Sequence, residues 1–280
     1  MLHHARAFAN RLLTPALLIA VSTAAAALEA PSPSAGAWEF LRPQFYGERA
    51  IGLVDEDFMR LEAPANTPDP AATPVTIHFG PAAIGRIKQV RLIIDNNPSP
   101  VVSTFDLADG ARIEQLGLRV RVDRFTSMRV IAETREGTLE MRSQWVNASG
   151  GCSAPPSPAG GGALGEIRFR PSPDGRALQV SIRHPNNSGF QIDPASGDRI
   201  EPHYVASLRV SAGGAPLLEA ETGISISENP TLRIVSDRAL AAPVVVQAVD
   251  SKAMRFSAEW RGPAAATASN RGDSEAAHRP

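Results

Sequence analysis

Cys152 is the single cysteine of this 280-residue chain, and it stands among small residues: Ala148-Ser149-Gly150-Gly151-Cys152-Ser153-Ala154-Pro155-Pro156. A thiol can act as nucleophile and as leaving group in turn, so it can accept a covalent adduct and give it up again. With one cysteine, no disulfide can form within the chain. The thiol is therefore free, modified, or paired with a second copy in a Cys152-linked dimer. Gly150 and Gly151 lack a Cβ and loosen the backbone on the N-terminal side, so they are expected to give a flexible arm that exposes the thiol. From Val146 to Cys152 such an arm could extend roughly 20 Å, at about 3.3–3.6 Å per residue. No Lys, Arg or His lies within nine residues on either side, the nearest being Arg142 and Arg168. At a reference pKa of about 8.5 only a few per cent of the thiol would then be thiolate at neutral pH. Composition alone leaves a reactive and an incidental cysteine equally open.

The other candidates are histidines. His184 and His203 are nineteen residues apart and each adjoins a proline, Pro185 and Pro202. They are expected to neighbour one another or the Cys152 loop, although a turn-capping role fits them as well. His3, His4, His78 and His278 are scattered, and no spacing suggests a metal cluster, so no metal and no cofactor is expected. The chain has no phosphate-cradling glycine loop, no Gly-x-Ser-x-Gly elbow and no His-Glu-x-x-His. An autonomous catalytic site is not expected. Arg119 and Arg121 alternate with Leu118, Val120 and Val122, which assigns both arginines to a solvent-exposed stripe. Asn96-Asn97-Pro98-Ser99-Pro100 and Ser227-Glu228-Asn229-Pro230 read as turns.

The elements that would position these residues are strands. Period-two runs recur at 118–122, 128–132, 139–145, 178–182, 208–210, 224–226, 232–234, 244–248 and 254–260, each with one apolar and one polar face. Asp109-Gly110, Glu136-Gly137, Asp174-Gly175 and Gly213-Gly214 punctuate them. Many short strands without intervening amphipathic helices predict an all-β protein built of antiparallel sandwiches. One helix is expected at Ala37 to Phe45, where Trp38, Leu41 and Phe45 share a face. Residues 147–165, rich in Gly, Pro, Ser and Ala, read as a linker between a domain at 31–146 and another at 166–262. Residues 263–280 read as a disordered tail.

Residues 1–27 have the pattern of a cleavable export signal: Arg6 and Arg11 without acids, an apolar run from Leu12 to Val21, then the small residues Ser22 to Ala27. The apolar run is too short to span a bilayer, which takes about 20 residues, so no membrane span is expected in the mature form. The formal net charge of −1 argues against a general nucleic-acid binder.

Several ordered motifs resemble the sulfur-oxidation carrier SoxYZ, with SoxY-like and SoxZ-like parts joined in one chain. In the first half they are Pro74-Val75-Thr76-Ile77, Ile94-Asp95-Asn96-Asn97-Pro98-Ser99-Pro100 with Phe105, and Val146 leading into Gly150-Gly151-Cys152. In the second they are Ile182-Arg183-His184-Pro185, Ser188-Gly189, Ile200-Glu201-Pro202-His203-Tyr204-Val205, Ser227-Glu228-Asn229-Pro230 and Asp250-Ser251-Lys252. The chain resembles fused SoxYZ-like carriers associated with quinoprotein dehydrogenases. The resemblance implies two immunoglobulin-like antiparallel β-sandwich domains. It also implies a periplasmic carrier, not an enzyme, in which Cys152 holds a sulfur intermediate for partner enzymes, either sulfur-metabolising proteins or quinoprotein dehydrogenases. The alternative it leaves is a thiol-independent adapter for a periplasmic quinoprotein dehydrogenase system. The family's arm reads Gly-Gly-Cys-Gly-Gly and is free at its end. Here the sequence is Gly-Gly-Cys-Ser-Ala, tethered on both sides.

Overall fold

The period-two runs become strands of two sheets that share one core. The computed structural model describes residues 35–157 and 161–262; the expected export signal and tail lie outside the described residues. In chain order the elements are α1 (Ala35–Tyr46), β1 (Ile51–Leu53), β2 (Met59–Glu62), β3 (Thr73–Phe79), β4 (Ile87–Ile94), β5 (Val101–Leu107), β6 (Ile113–Val120), β7 (Thr126–Thr134) and β8 (Leu139–Val146). The second half adds β9 (Ile167–Pro171), β10 (Ala177–Ile182), β11 (Val205–Ala212), β12 (Ala215–Thr222), β13 (Thr231–Ser236), β14 (Val244–Asp250) and β15 (Arg255–Trp260). Alternation sets the inward faces: Val75, Ile77 and Phe79 of β3, and Val244, Val246 and Ala248 of β14, point into the core. The run at 224–226 forms no strand. Ile226 makes only an isolated bridge to Val120.

One sheet has nine strands in the order β1-β8-β7-β4-β5-β12-β11-β14-β15, and the other has six in the order β2-β3-β6-β13-β10-β9. Only β1 and β8 pair in parallel. Both sheets run without a break from the first half of the chain to the second. In the larger sheet, antiparallel β5 and β12 set Leu107 opposite Leu218 and Phe105 opposite Ala220. In the smaller, β6 and β13 set Leu118 opposite Leu232 and Leu116 opposite Ile234. Two immunoglobulin-like sandwiches are thus joined edge to edge, and Val102, Phe105 and Leu118 share one apolar cluster with Val180, Ile182, Leu208 and Leu232. A cavity of about 40 Å³ at this seam is lined almost wholly by apolar side chains. It is far too small for an organic ligand.

The expected helix is present. Leu41 and Tyr46, with Trp38 and Phe45, pack on Ile93, Ile131, Leu139 and Met141, on the outer face of the larger sheet. β7 is therefore covered on both sides, with Met128, Val130 and Ala132 facing the core and Ile131 facing α1. Arg129 lies 4.7 Å under the Trp38 ring and holds Asp95 through both carboxylate oxygens. This buried pair fastens β7 to the end of β4, next to the Asn96-Asn97 turn that borders the site.

Candidate functional site

The cysteine segment is built on the end of β6. That strand stops at Val120, and the chain then turns: Arg121 donates its N–H to the Ser225 carbonyl at 2.7 Å and Val122 donates to Pro70 at 2.8 Å. Asn97 secures the turn, giving its side-chain N–H to the Arg121 carbonyl at 2.7 Å and accepting from the Asp123 N–H at 2.9 Å. Residues 150–152 turn against this stretch and are held to it by their backbone N–H groups. Gly150 N–H donates to the Asp123 carbonyl at 2.8 Å, Gly151 N–H to the Val122 carbonyl at 3.0 Å, and Cys152 N–H to Asp123 Oδ1 at 3.3 Å.

The second half closes over the segment from the other side. Ser188 Oγ donates to the Cys152 carbonyl, and Gln191 Nε2 donates to the Ala154 carbonyl at 3.0 Å. Further along, Ser157 N–H donates to Glu228 at 3.0 Å. Cys152 is fully buried.

Three expectations are corrected here. The thiol does not stand on an exposed arm, because its segment is bonded to both halves. Gly150 and Gly151 do not serve as arm flexibility. Gly150 adopts a left-handed φ of 77°, which disfavours any residue with a Cβ. A Cβ on Gly151 would come within 2.2 Å of the Pro70 carbonyl and 2.6 Å of the Val122 carbonyl. Gly150 thus permits the turn, and Gly151 the close approach of its backbone to those of Pro70 and Val122. Arg121, assigned by alternation to the solvent face, is only 2% exposed. The alternation rule fails for it because β6 has already ended.

Arg121 joins the parts of the cradle. One guanidinium nitrogen donates to the Gly151 carbonyl at 3.1 Å and another to the Asn186 carbonyl at 3.3 Å, while Nε has no hydrogen-bond partner. Burial pushes the Cys152 thiol up to about 12, the nearby Asp123 carboxylate adds to the rise, and Arg121 opposes both. At neutral pH only about one molecule in 10⁵ then carries a thiolate in this closed arrangement. Burial lowers the Arg121 pKa, and the negative charges of Cys152 (when ionised), Glu228 and Asp69 work against that.

His184 and His203 do come together, with ring centroids 4.5 Å apart and nearly perpendicular planes. Both direct Nε2 at the same oxygen of Asp250, His203 at 2.8 Å and His184 at 3.4 Å. The three could in principle share a metal ion, but the hydrogen bonding argues otherwise. Asn186 N–H donates to His184 Nδ1 at 3.1 Å, which fixes the proton of the neutral ring on Nε2, the atom a metal would need. Asp250 Oδ1 is occupied by the N–H groups of Lys252 and Met254 at 2.9 Å each. Burial lowers the His184 pKa, so the ring is neutral at neutral pH. Burial would raise the Asp250 carboxyl, but donors from His203, Met254, Lys252 and His184 outweigh it and hold the group below its ordinary value. Asn186 links the histidines to the cysteine segment: its N–H meets His184 and its carbonyl meets Arg121. Ser188, Gln191, Asn186 and Arg121 were not legible as site residues. Ser188 alone fell within a resembling motif.

Two immunoglobulin-like β-sandwiches sharing both sheets, with one thiol closed between them, define a class of paired sandwich proteins. Within it the chain belongs to the sulfur-oxidation proteins as a tandem of their two domains: residues 42–152 match sulfur oxidation protein SoxY, and residues 170–261 match sulphur oxidation protein SoxZ. Among solved structures, the sulfur carrier protein SoxY from Chlorobium limicola f thiosulfatophilum is similar at 21% identity and a TM-score of 0.35, covering 41% of this chain and 94% of that one. The superoxide reductase (neelaredoxin) from Ignicoccus hospitalis is similar at 12% identity and a TM-score of 0.30, covering 35% of this chain and 94% of that one. No curated protein matches the chain at a significant level.

Proposed function

We propose that this chain is a periplasmic sulfur carrier, delivered by the signal at residues 1–27, in which Cys152 covalently holds a sulfur intermediate while partner enzymes act on it. The observation that carries the reading is the SoxY match itself, which runs to residue 152 and so ends on the only thiol. The buried thiol adds a condition. The arrangement described is a closed, resting form, and loading or unloading requires the 150–154 segment to leave Ser188 and Gln191. The partners are sulfur-metabolising proteins or a quinoprotein dehydrogenase system, and the chain itself supplies no turnover. No helix among the described residues is long and apolar enough to cross a membrane.

The burial of Cys152 also favours a second reading, a thiol-independent adapter whose cysteine is a core residue. Intact mass of the protein isolated from its native cells without reductant separates the two. A mass increase of one or more sulfur atoms or a sulfonate-bearing group on Cys152, removed by dithiothreitol, is the carrier's expected signature. An unmodified thiol, together with full cellular function of Cys152→Ser, would leave the adapter.

A further inference from the structure

We propose that the outer face of the smaller sheet is a docking surface for an acidic partner protein, held through Arg119, Arg168, Arg170 and Arg233. The surface does not involve Cys152, so it stands for the carrier and for the adapter alike. Phe169 of β9, Val180 of β10, Ile234 of β13, Leu116 of β6 and Ile77 of β3 point into the core. The residues that alternate with them point outward, and the register lines these up. Arg170 stands opposite Gln179, Gln179 opposite Arg233, and Arg233 opposite Gly117. On the same face, Arg168 lies two residues before Arg170 and Arg119 two residues beyond Gly117. All four arginines are exposed. They straddle the seam, Arg119 coming from the first half and the other three from the second.

Carboxylates are sparse on this face. Of the four arginines only Arg168 meets one, Glu166 at 2.7 Å; among the described residues the others make no ion pair. Elsewhere arginines find carboxylates, as Arg112 does with Asp237, Arg142 with Glu56 at 3.2 Å and Arg176 with Glu114 at 2.7 Å. Glu62, on the far strand β2, is already held by Arg60 and His78. The Cβ and Cδ of Arg233 lie 3.3 and 3.9 Å from where a Cβ on Gly117 would stand, so its stem rests flat on the sheet. The whole chain has a net charge of −1, which makes the positive face a local excess. Carboxylates brought opposite it would relieve the repulsion among the arginines and speed the encounter. A lipid surface fits less well, because none of the large apolar side chains exposed among the described residues lies on this sheet's six strands. Strands about 4.8 Å apart and about 20 Å long give roughly 500 Å² of face, below the ~800 Å² that one side of a stable complex buries. The contact is therefore brief and sensitive to salt.

The test places the photo-reactive amino acid p-benzoylphenylalanine at Gln179, between Arg170 and Arg233, in the full chain expressed in its native cells. Gln247, exposed on the outer face of the larger sheet, serves as the control position. Irradiation is expected to link the Gln179 position to one protein, at a segment that mass spectrometry maps as rich in Asp and Glu. Arg119→Gln, Arg170→Gln and Arg233→Gln together should cut the yield about tenfold, since three exposed ion pairs are lost. The corresponding Glu substitutions should abolish it. These side chains are exposed and without ion-pair partners, so melting temperatures should move by no more than about 3 °C. Equal yield at Gln247, or a yield that neither triple variant lowers, would overturn the proposal. So would a mapped segment without excess acid, a link only to lipid or to a second copy of the chain, or no link at Gln179. If a triple variant does not fold, the control position and the mapped segment decide. Each of these outcomes leaves the reading of Cys152 untouched.

Discussion

Burial and Asp123 hold the Cys152 thiol near 12 against the pull of Arg121. The unfolded chain ionises its thiol at the ordinary value of about 9. Between those values the unfolded state binds fewer protons than the folded one. Stability contributed by the neutral buried thiol is therefore complete below about pH 9 and is lost as pH rises towards 12. Urea midpoints followed across this range should fall more steeply for wild type than for Cys152→Ala; parallel curves would mean the thiol is not buried in solution. The sequence reading identified the cysteine and the meeting of His184 with His203, because rare residue types and repeated motifs drew attention to them. It could not see Arg121, Ser188 or Gln191. Their importance comes from where a strand ends and a loop folds back, and neither leaves a periodic trace.

At the scale of elements, the cysteine segment is a turn held by hydrogen bonds to residues of both halves. Gly151→Ala would drive a methyl group into the Pro70 and Val122 carbonyls. It should destabilise the protein by about 2 kcal/mol or more and raise the labelling rate of Cys152 by iodoacetamide at least tenfold, by lifting the segment from its seat. On a flexible arm the same change would alter neither quantity. Period-two reading found β10, β13 and β14 because each has one polar face. It missed β5 and β12, the two strands that join the halves in the larger sheet. β5 is buried along nearly its whole length, and in β12 both Leu217 and Leu218 are buried. β5, covered on both faces, loses alternation, and β12 alternates only from Leu218 to Glu221; with these two strands unseen, the Gly/Pro-rich run at 147–165 looked like the boundary of independent bodies. The α1 face was legible because Trp38, Leu41 and Phe45 keep helical spacing on an exposed element.

For the whole molecule, two continuous sheets and one apolar cluster predict a single cooperative unfolding transition. Calorimetric and van't Hoff enthalpies should agree, whereas two transitions would mean that the seam contributes little. The seam also bears on how the chain is made. Each half taken alone would end at apolar strands, β5 and β6 in the first and β12 and β13 in the second, and unpaired edges of this kind are templates for aggregation. Among the described residues the sheet edges are β1, β2, β9 and β15, and β1 and β2 are just three and four residues long. Synthesis runs from the N-terminus, so β5 and β6 emerge first and wait for partners that are complete only at Ser236. While residues 153–236 are being translated, the nascent first half carries two uncovered apolar borders. Until the chain reaches Ser236, those borders are the part most open to mispairing.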